Sequence, residues 1–256
     1  MPVRRQTLHE WFLDYQLRHE WRRRFYNPMS VDVDVTALAE AYEAKGREAP
    51  WSAIVVKAAG LVAQKHPEIN RVVFRTFYGA RVVDFDRVTV NFPMLYSREG
   101  QEILGAITIP EPQSLPIEAI RGHIRAGRRR RLEDTKVARF VLGKNTFFNR
   151  LRLRAIHASV NHFPGLYVKF GGGGLSVTSL LFLSDEDVKL RVTPYGPTAM
   201  TIGAITVSKE PDGRKLMRLG IGFDHTAIRG DQAAAAGQTL ARLLQSREPQ
   251  GLAQFL

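Results

Sequence analysis

The sequence contains no cysteine, and this absence excludes several kinds of chemistry. A disulfide framework, a thiolate metal site and a cysteine nucleophile all require that side chain. The amino-terminal region has no apolar segment resembling a signal peptide, and no apolar run is long enough to span a bilayer. We therefore expect a soluble, cytoplasmic protein. No metal site is assigned to the sequence.

Acidic residues are scarce relative to basic ones. The 256 residues include 37 Lys and Arg against 25 Asp and Glu, which gives a net charge of +12. Such an excess favours anionic partners, among them CoA, other phosphates, nucleic acid and anionic membrane surfaces. Arginines cluster at 22–24, at 128–131 and at 150–154, but no nucleic-acid-binding motif accompanies them. The sequence argues against nucleic acid and leaves contact with an anionic membrane open.

Length and composition are typical of one globular domain over residues 1–256, with 44% hydrophobic residues to build a core. Hydrophobic periodicity predicts a mixture of helices and short strands. Residues 1–30 are rich in arginine and aromatics and predict an amino-terminal helical arm whose apolar stripe needs a surface to cover. Further helices are predicted at 50–66 and 117–132, and strands at 31–35, 72–77, 80–85, 88–94 and 104–109.

Residues 136–170 predict a basic amphipathic insertion, in which apolar side chains alternate with arginines at helical spacing. Two interpretations stay open. The segment is either a packing helix, within the core or between subunits, or an interfacial helix that meets lipid or a long acyl chain.

The most informative stretch runs from Leu216 to Gln232. Its alternating apolar residues predict a strand that ends at Asp224, so His225 lies at the strand's end; Gly230 predicts a turn, and a helix follows near Asp231. A rigidly held histidine suits a general base, because its ordinary pKa lies near neutrality. The alternative is an ordinary surface or core histidine without a chemical role.

A second informative stretch is the run of four glycines at 171–174, followed by an apolar strand that carries Thr178 and Ser179. The run is not a phosphate-binding loop, because no Gly-Lys-Ser/Thr follows and a strand rather than a helix comes next. The strand pattern by itself locates these two hydroxyl groups on a strand but indicates no function for them.

Together these stretches resemble a known family. Phe-Asp-His, three residues, then Arg-Gly at 223–230 resembles the Asp-His-x-x-x-Asp-Gly signature of the chloramphenicol-acetyltransferase-like fold. His-Pro-Glu-Ile-Asn at 66–70 and the glycine-flanked strand are similar to segments of the dihydrolipoyl acyltransferases of 2-oxoacid dehydrogenase complexes. The resemblance implies an α/β fold of the α+β two-layer type, a mixed sheet with helices on one face, assembled as a trimer or a higher oligomer of trimers.

The resemblance also implies a reaction, the movement of an acyl group between a CoA thioester and a thiol, hydroxyl or amine acceptor. In that family a histidine corresponding to His225 is the general base, and a hydroxyl corresponding to Thr178 stabilises the oxyanion, with Ser179 the adjacent candidate. The two groups come from neighbouring subunits. Asp224, Gly230 and Asp231 are expected to support the motif, and no residue is assigned to CoA.

The chain departs from the family at one motif position. Arg229 stands where the family has Asp or Asn, and a guanidinium carries the opposite charge and has no acceptor. Three interpretations stay open: Arg229 pairs with Asp231, it contacts the phosphates of CoA, or it marks a catalytically inactive relative that serves as a scaffold or assembly subunit.

We expect no lipoyl domain or subunit-binding domain ahead of this domain, because the sequence shows neither of them nor an Ala/Pro-rich linker. The protein is therefore expected to be a stand-alone form without its own lipoyl group. Its acyl acceptor would be a separate lipoyl or carrier protein, or a different molecule.

Overall fold

A computed structural model describes residues 6–21, 25–76, 79–98, 101–131, 134, 141–181, 192 and 196–256. Its helices are α1 (Leu8–Trp21), α2 (Thr36–Glu43), α3 (Trp51–Lys65), α4 (Ile117–Arg129), α5 (Phe147–His162), α6 (Pro164–Lys169), α7 (Gly230–Gln245) and α8 (Pro249–Ala253). Its strands are β1 (Tyr26–Asp34), β2 (Arg71–Thr76), β3 (Gly79–Asp84), β4 (Thr89–Arg98), β5 (Gln101–Pro110), β6 (Leu175–Ser179), β7 (Met200–Lys209) and β8 (Lys215–Asp224). The arginine cluster at 22–24 and the first residues of the insertion, 136–140, lie outside the described residues.

Six of these strands form one mixed sheet in the order β1-β8-β7-β6-β4-β5. β6 runs parallel to both β4 and β7, and the remaining neighbours in this sheet are antiparallel. β2 and β3 form a separate antiparallel ribbon. The prediction of a mixed sheet is confirmed.

Helices cover one face of the six-stranded sheet. Alternate residues of β8, namely Met217, Leu219, Ile221 and Phe223, are buried in the main core together with Ile54 of α3. Because successive strand residues point to opposite faces, this alternation identifies the helix-covered side. α3 lies at the centre of the helical layer, with most of its residues buried and contacts to α4, α7, β6 and β7. The result is the expected two-layer sandwich.

The predicted amino-terminal helical arm over 1–30 is partly wrong. The helix ends at Trp21, and a nine-residue strand begins at Tyr26. That strand pairs with β8 along its whole length, from Tyr26 opposite Asp224 to Asp34 opposite Leu216. Hydrogen bonding to β8 therefore overrides the local helical pattern, and Pro28 is tolerated because β1 is an edge strand of the sheet.

The arm packs against the insertion. Leu8 of α1 shares a small hydrophobic cluster with Val141 and Leu153, to which Trp11 and Phe12 add their rings. The guanidinium carbons of Arg150 and Arg154 lie 5.3 and 5.5 Å from the centroid of the Trp11 ring, within cation–π range, which fastens α5 to α1. The packing interpretation of the insertion is correct for this inner face of α5.

His9 ties the arm to the edge strand β5. Its Nε2 atom accepts a hydrogen bond from the backbone N–H of Leu104 at 3.2 Å, so this nitrogen carries no proton in the docked arm. Burial lowers the pKa of His9, and the nearby Glu10 carboxylate opposes this only in part. The undocked arm therefore binds a proton more readily than the docked arm does.

We expect acidification to release the arm. The docking free energy from His9 is fully present above the ordinary histidine pKa of about 6.5 and is lost as the pH falls through the lower pKa of the docked arm. The fluorescence of a variant with Trp11 as its sole tryptophan, followed from pH 7.5 to about pH 5, measures this release. His9→Gln keeps an acceptor but does not titrate, so it should flatten the curve; an unchanged curve would rule out His9 as the cause.

The glycine run at 171–174 is explained by turn geometry and by close packing. Gly171 has φ = +86°, in the left-handed region that favours glycine. A Cβ atom on Gly174 would lie 2.3 Å from the side-chain oxygen of Asn70 and 2.9 Å from its carbonyl carbon. Asn70 cannot yield easily, because it is buried and donates to the carbonyl oxygens of Phe85 and Arg87.

Gly174→Ala should consequently lower the free energy of unfolding by about 1–3 kcal/mol, the range for forcing extra volume into a packed site. Chemical denaturation of the purified protein measures the change. Gly122→Ala is the matched control, because Gly122 lies in α4 with nothing within 4 Å of the added methyl group, and there we expect a gain of about 0.5–1 kcal/mol. Equal effects of the two substitutions would contradict the packing explanation.

Candidate functional site

The carboxyl end of β8 is fixed by Asp224. Its side chain is fully buried, and Oδ1 accepts hydrogen bonds from the backbone N–H of Thr226 at 3.0 Å and from its hydroxyl at 2.6 Å. Its backbone N–H donates to the carbonyl of Ala199, and its own carbonyl accepts from Ala227 and Ile228. The predicted strand end at Asp224 is correct, and the turn that follows is rigidly defined.

His225 lies at the tip of that turn with its side chain exposed. Its backbone N–H donates to the carbonyl of Phe25 at 2.8 Å, which ties the turn to the start of β1. The imidazole ring lies 5.8 Å from the Phe223 ring, and its Nε2 atom faces Gly230 closely enough that a Cβ there would be 3.7 Å away. The backbone is therefore held on both sides while the ring remains accessible to a reactant.

Two arginines of β2 hold the same turn, and the sequence did not point to either. Arg71 donates to the carbonyl of Ala227 at 2.9 Å. Arg75 donates to the hydroxyl of Thr226 at 2.5 Å and lies 3.8 Å from Oδ2 of Asp224. Their spacing of four residues places both on one face of the strand, and this is the only local signal, because their partners are about 150 positions away in the sequence.

Arg75→Ala should lower the free energy of unfolding by about 3 kcal/mol, since it removes the cation beside a buried carboxylate. Arg218→Ala is the control: Arg218 pairs with Asp32 on neighbouring exposed strand positions, and exposed pairs are worth less than about 1 kcal/mol. Denaturant unfolding of the two variants compares them. A smaller loss for Arg75→Ala than for Arg218→Ala would refute its role in holding the turn.

Arg229 is paired with Asp231, as one of the three interpretations expected. Its Nε and Nη2 atoms donate to the two carboxylate oxygens at 3.0 and 2.8 Å, with both side chains exposed, and the pairing lowers the pKa of Asp231. The backbone N–H of Arg229 donates to the side chain of Gln232, which caps α7. The guanidinium itself cannot accept a hydrogen bond, so the turn is fixed by other residues, namely Asp224, Arg71 and Arg75.

The prediction that Gly230 marks a turn is wrong. Gly230 is the first residue of α7, and its φ is not in the left-handed region. The turn lies earlier, at residues 225–228, because Asp224 and the two arginines bend the chain there.

Thr178 and Ser179 point to opposite faces of the sheet. Ser179 is buried on the helix-covered face and accepts a hydrogen bond from the hydroxyl of Ser52 in α3 at 2.8 Å. Thr178 is partly exposed on the other face, opposite Gly203 of β7. A side chain at position 203 would strike Val192 and Thr178, so glycine is needed beside the threonine. Of the two hydroxyl groups, that of Thr178 is the one placed to meet a reactant.

The structure does not bring Thr178 and His225 together within one chain. Thr178 pairs with Gly203, which pairs with Gly220 on β8, and His225 follows Gly220 by five residues. With strands about 4.8 Å apart and a rise of about 3.3 Å per residue, the two Cα atoms are separated by about 19 Å. Direct cooperation between the two side chains therefore requires a second subunit.

The described part of the chain offers no alternative site with evident chemistry. No group of His, Asp or Glu side chains there is arranged to hold a metal ion, and no helix there is long and apolar enough to cross a membrane. A cavity of about 410 Å³ lies between α2 and the β7–β8 hairpin, where it is lined by Glu43, Trp51, Lys209 and Lys215 among others. It contains none of the predicted site residues.

The fold matches solved structures at low sequence identity. A truncated catalytic core of the 2-oxoacid dehydrogenase multienzyme complex from Thermoplasma acidophilum gives a TM-score of 0.68 at 13% identity, covering 97% of this chain and 100% of that one. A dihydrolipoamide acetyltransferase from Azotobacter vinelandii gives 0.63 at 16% identity, covering 96% and 92%. A chloramphenicol acetyltransferase gives 0.51 at 13% identity, covering 92% and 94%. This is the chloramphenicol-acetyltransferase-like fold.

The predicted fold is thereby confirmed over nearly the whole chain. No protein-family model and no curated protein matches the sequence, so the likeness rests on the three-dimensional arrangement. The acetyltransferase-like sheet ends β8 in the Asp224–His225 turn and leaves Thr178 partly exposed on the face away from the helices.

Proposed function

We propose that this protein is a CoA-dependent acyltransferase in which His225 is the general base. The observation that carries the proposal is the turn after Asp224, which holds the histidine backbone through a buried carboxylate and two arginines while leaving the imidazole exposed. The Azotobacter structure concerns the roles of a serine, a histidine and an asparagine in catalysis, with the asparagine four residues after the histidine. His225 and Arg229 have the same spacing here.

In the proposed reaction His225 removes the proton from an acceptor thiol, hydroxyl or amine as that atom bonds to the thioester carbonyl carbon. The hydroxyl of Thr178 donates a hydrogen bond to the oxyanion that forms. The imidazolium then returns the proton to the departing sulfur as the carbon–sulfur bond breaks, so CoA leaves as a thiol. A separate lipoyl or carrier protein is one candidate acceptor.

We further infer that the site is shared between subunits of a trimer or a larger assembly of trimers. The 19 Å separation within one chain, estimated from a strand spacing of about 4.8 Å, supports this because one subunit alone has half of the proposed site. Another similar structure is the cubic core of the pyruvate dehydrogenase multienzyme complex, with a TM-score of 0.62 at 15% identity, covering 96% of this chain and 92% of that one.

A second candidate function is a catalytically inactive scaffold or assembly subunit. The observation that favours it is Arg229, whose guanidinium is committed to Asp231 and cannot replace the acceptor that an asparagine or aspartate provides. If the protein is catalytic, the turn is fixed by Asp224, Arg71 and Arg75 and does not need an acceptor at position 229. Arginine at that position is then compatible with activity.

Calorimetric titration with CoA and acetyl-CoA, combined with an assay of the free CoA formed from acetyl-CoA and a supplied acceptor such as dihydrolipoamide, tests the two functions. Saturable binding and turnover support the acyltransferase, whereas no binding and no turnover support the scaffold. Arg229→Ala is included with Arg242→Ala, an exposed arginine on the same helix, as its control. Weaker CoA binding in the first variant alone would assign Arg229 to the phosphates; equal binding would confine it to its pair with Asp231.

A further inference from the structure

The outer face of α5 exposes a continuous apolar stripe. Phe147 is 72% exposed, Phe148 78% and Leu151 53%. At 100° per residue, these three and two exposed alanines, Ala155 and Ala158, lie within an arc of roughly 100° on one side of the helix. The stripe is therefore a surface feature and not scattered apolar exposure.

Within the described part of the chain, α5 packs through the side opposite the stripe. The opposite side of α5 carries the buried residues Leu153, His157 and Asn161, which face α1 and β2. Leu153 belongs to the cluster with Leu8, and His157 makes an edge contact with the Tyr15 ring at 5.4 Å. The inner face of α5 therefore packs the helix against α1 and β2, and its outer apolar face lies at the surface.

Positive charge surrounds the stripe. Exposed Arg152 borders it on one side, and exposed Lys144 precedes the helix. Arg154 borders the other side and is also exposed, although its guanidinium lies over the Trp11 ring. The sequence contains no acidic residue from 135 to 184, a span of 50 residues with seven lysines and arginines. Apolar residues flanked by arginines on a helix surface are the pattern of helices that lie in a membrane interface.

We propose that the outer face of α5 binds an anionic lipid surface, with Phe147, Phe148 and Leu151 inserted among the acyl chains and the flanking cations on the headgroups. A two-fold contact between two copies through this face would oppose like charges, so such a dimer is a poorer occupant; contact with a different face of a neighbouring subunit in a trimer is distinguished by the test. Nucleic acid is also a poorer occupant, since the arginines would be used but the apolar stripe would stay in water. The proposal does not depend on catalysis.

Vesicle co-sedimentation of the full chain tests this surface. Phosphatidylcholine vesicles are compared with vesicles that also contain phosphatidylglycerol, at moderate salt. We expect binding to the anionic vesicles only, weakened by roughly tenfold or more in Phe147→Ser/Phe148→Ser, because burial of a phenylalanine side chain exceeds the 1.4 kcal/mol that a tenfold change requires. Arg152→Glu should also weaken it. Leu17→Ser, exposed on α1, and Arg125→Glu, exposed on α4, are the matched controls and should bind as the parent does.

Three outcomes would overturn the proposal. The first is no binding to anionic vesicles. The second is vesicle binding that the paired phenylalanine variant retains, which would assign the binding to charge alone. Displacement of parent and variant from the vesicles by the same amount of an RNA homopolymer would lead to the same conclusion. The third is a change of oligomer mass in the phenylalanine variant, measured by light scattering, which would assign the stripe to a contact between copies.

Discussion

Replacing His225 with alanine is expected to slow acyl transfer by about two to four orders of magnitude, the usual contribution of a positioned general base. The turn is held by Asp224, by the backbone of residue 225 and by two arginines, none of which needs the imidazole. The fold and the assembly should therefore persist in the variant. Thiol release from acetyl-CoA measures the rate, and light scattering measures the assembly.

The matched control is His123→Ala, which removes an exposed histidine from α4. It should keep the parent's rate, which would show that removing an exposed histidine elsewhere in the chain does not slow acyl transfer. Turnover of His225→Ala at the parent's rate would remove the histidine from the mechanism. Loss of assembly in that variant would instead assign His225 to a subunit contact.

Mixing two inactive variants is expected to restore activity. His225→Ala keeps Thr178, and Thr178→Ala, expected to be slowed about a hundredfold or more on its own, keeps His225. If each site takes its base from one subunit and its hydroxyl from a neighbour, random mixed assembly at equal amounts gives both wild-type groups to about one site in four. The variants are mixed, dissociated and reassembled before the assay.

Recovery of about a quarter of the parent rate would support the shared site of a symmetric oligomer. No recovery, with mixed assemblies verified by mass, would mean that both groups serve a site within one chain or that one of them has no role. Thr178→Ser is a useful companion, because it keeps the hydroxyl and should keep most of the activity. Ser179→Ala should have little effect on the rate, since that hydroxyl is buried against Ser52 on the other face of the sheet.

Several parts of this arrangement could be predicted from the sequence because their signals are local. Alternating apolar residues locate the end of β8 at Asp224, and the same alternation places successive hydroxyl groups of β6 on opposite faces. The resemblance to the acyltransferases predicted the mixed sheet and its helical layer. It selected Thr178 over Ser179, and of these two residues Thr178 is the one that is partly exposed, on the face away from the helices.

Other parts depend on long-range contacts that leave no local signal. Arg71 and Arg75 reach a turn more than 150 residues away, and β1 begins at Tyr26 only because β8 supplies a partner. The need for glycine at 174 arises from Asn70, a hundred positions earlier. In each case a local pattern, such as a helical stripe or a glycine run, is compatible with several outcomes that tertiary packing then decides.

The distance between Thr178 and His225 has a consequence for how the proposed enzyme would be controlled in a cell. If the site is shared as proposed, a subunit before assembly holds its Thr178 hydroxyl about 19 Å from its own His225, so the two groups could not act together on one thioester. Activity per subunit would fall sharply once the concentration drops below the dissociation constant of the oligomer. Dilution would therefore abolish acyl transfer, and the concentration of the protein would determine both the number of sites and the fraction of them that is complete.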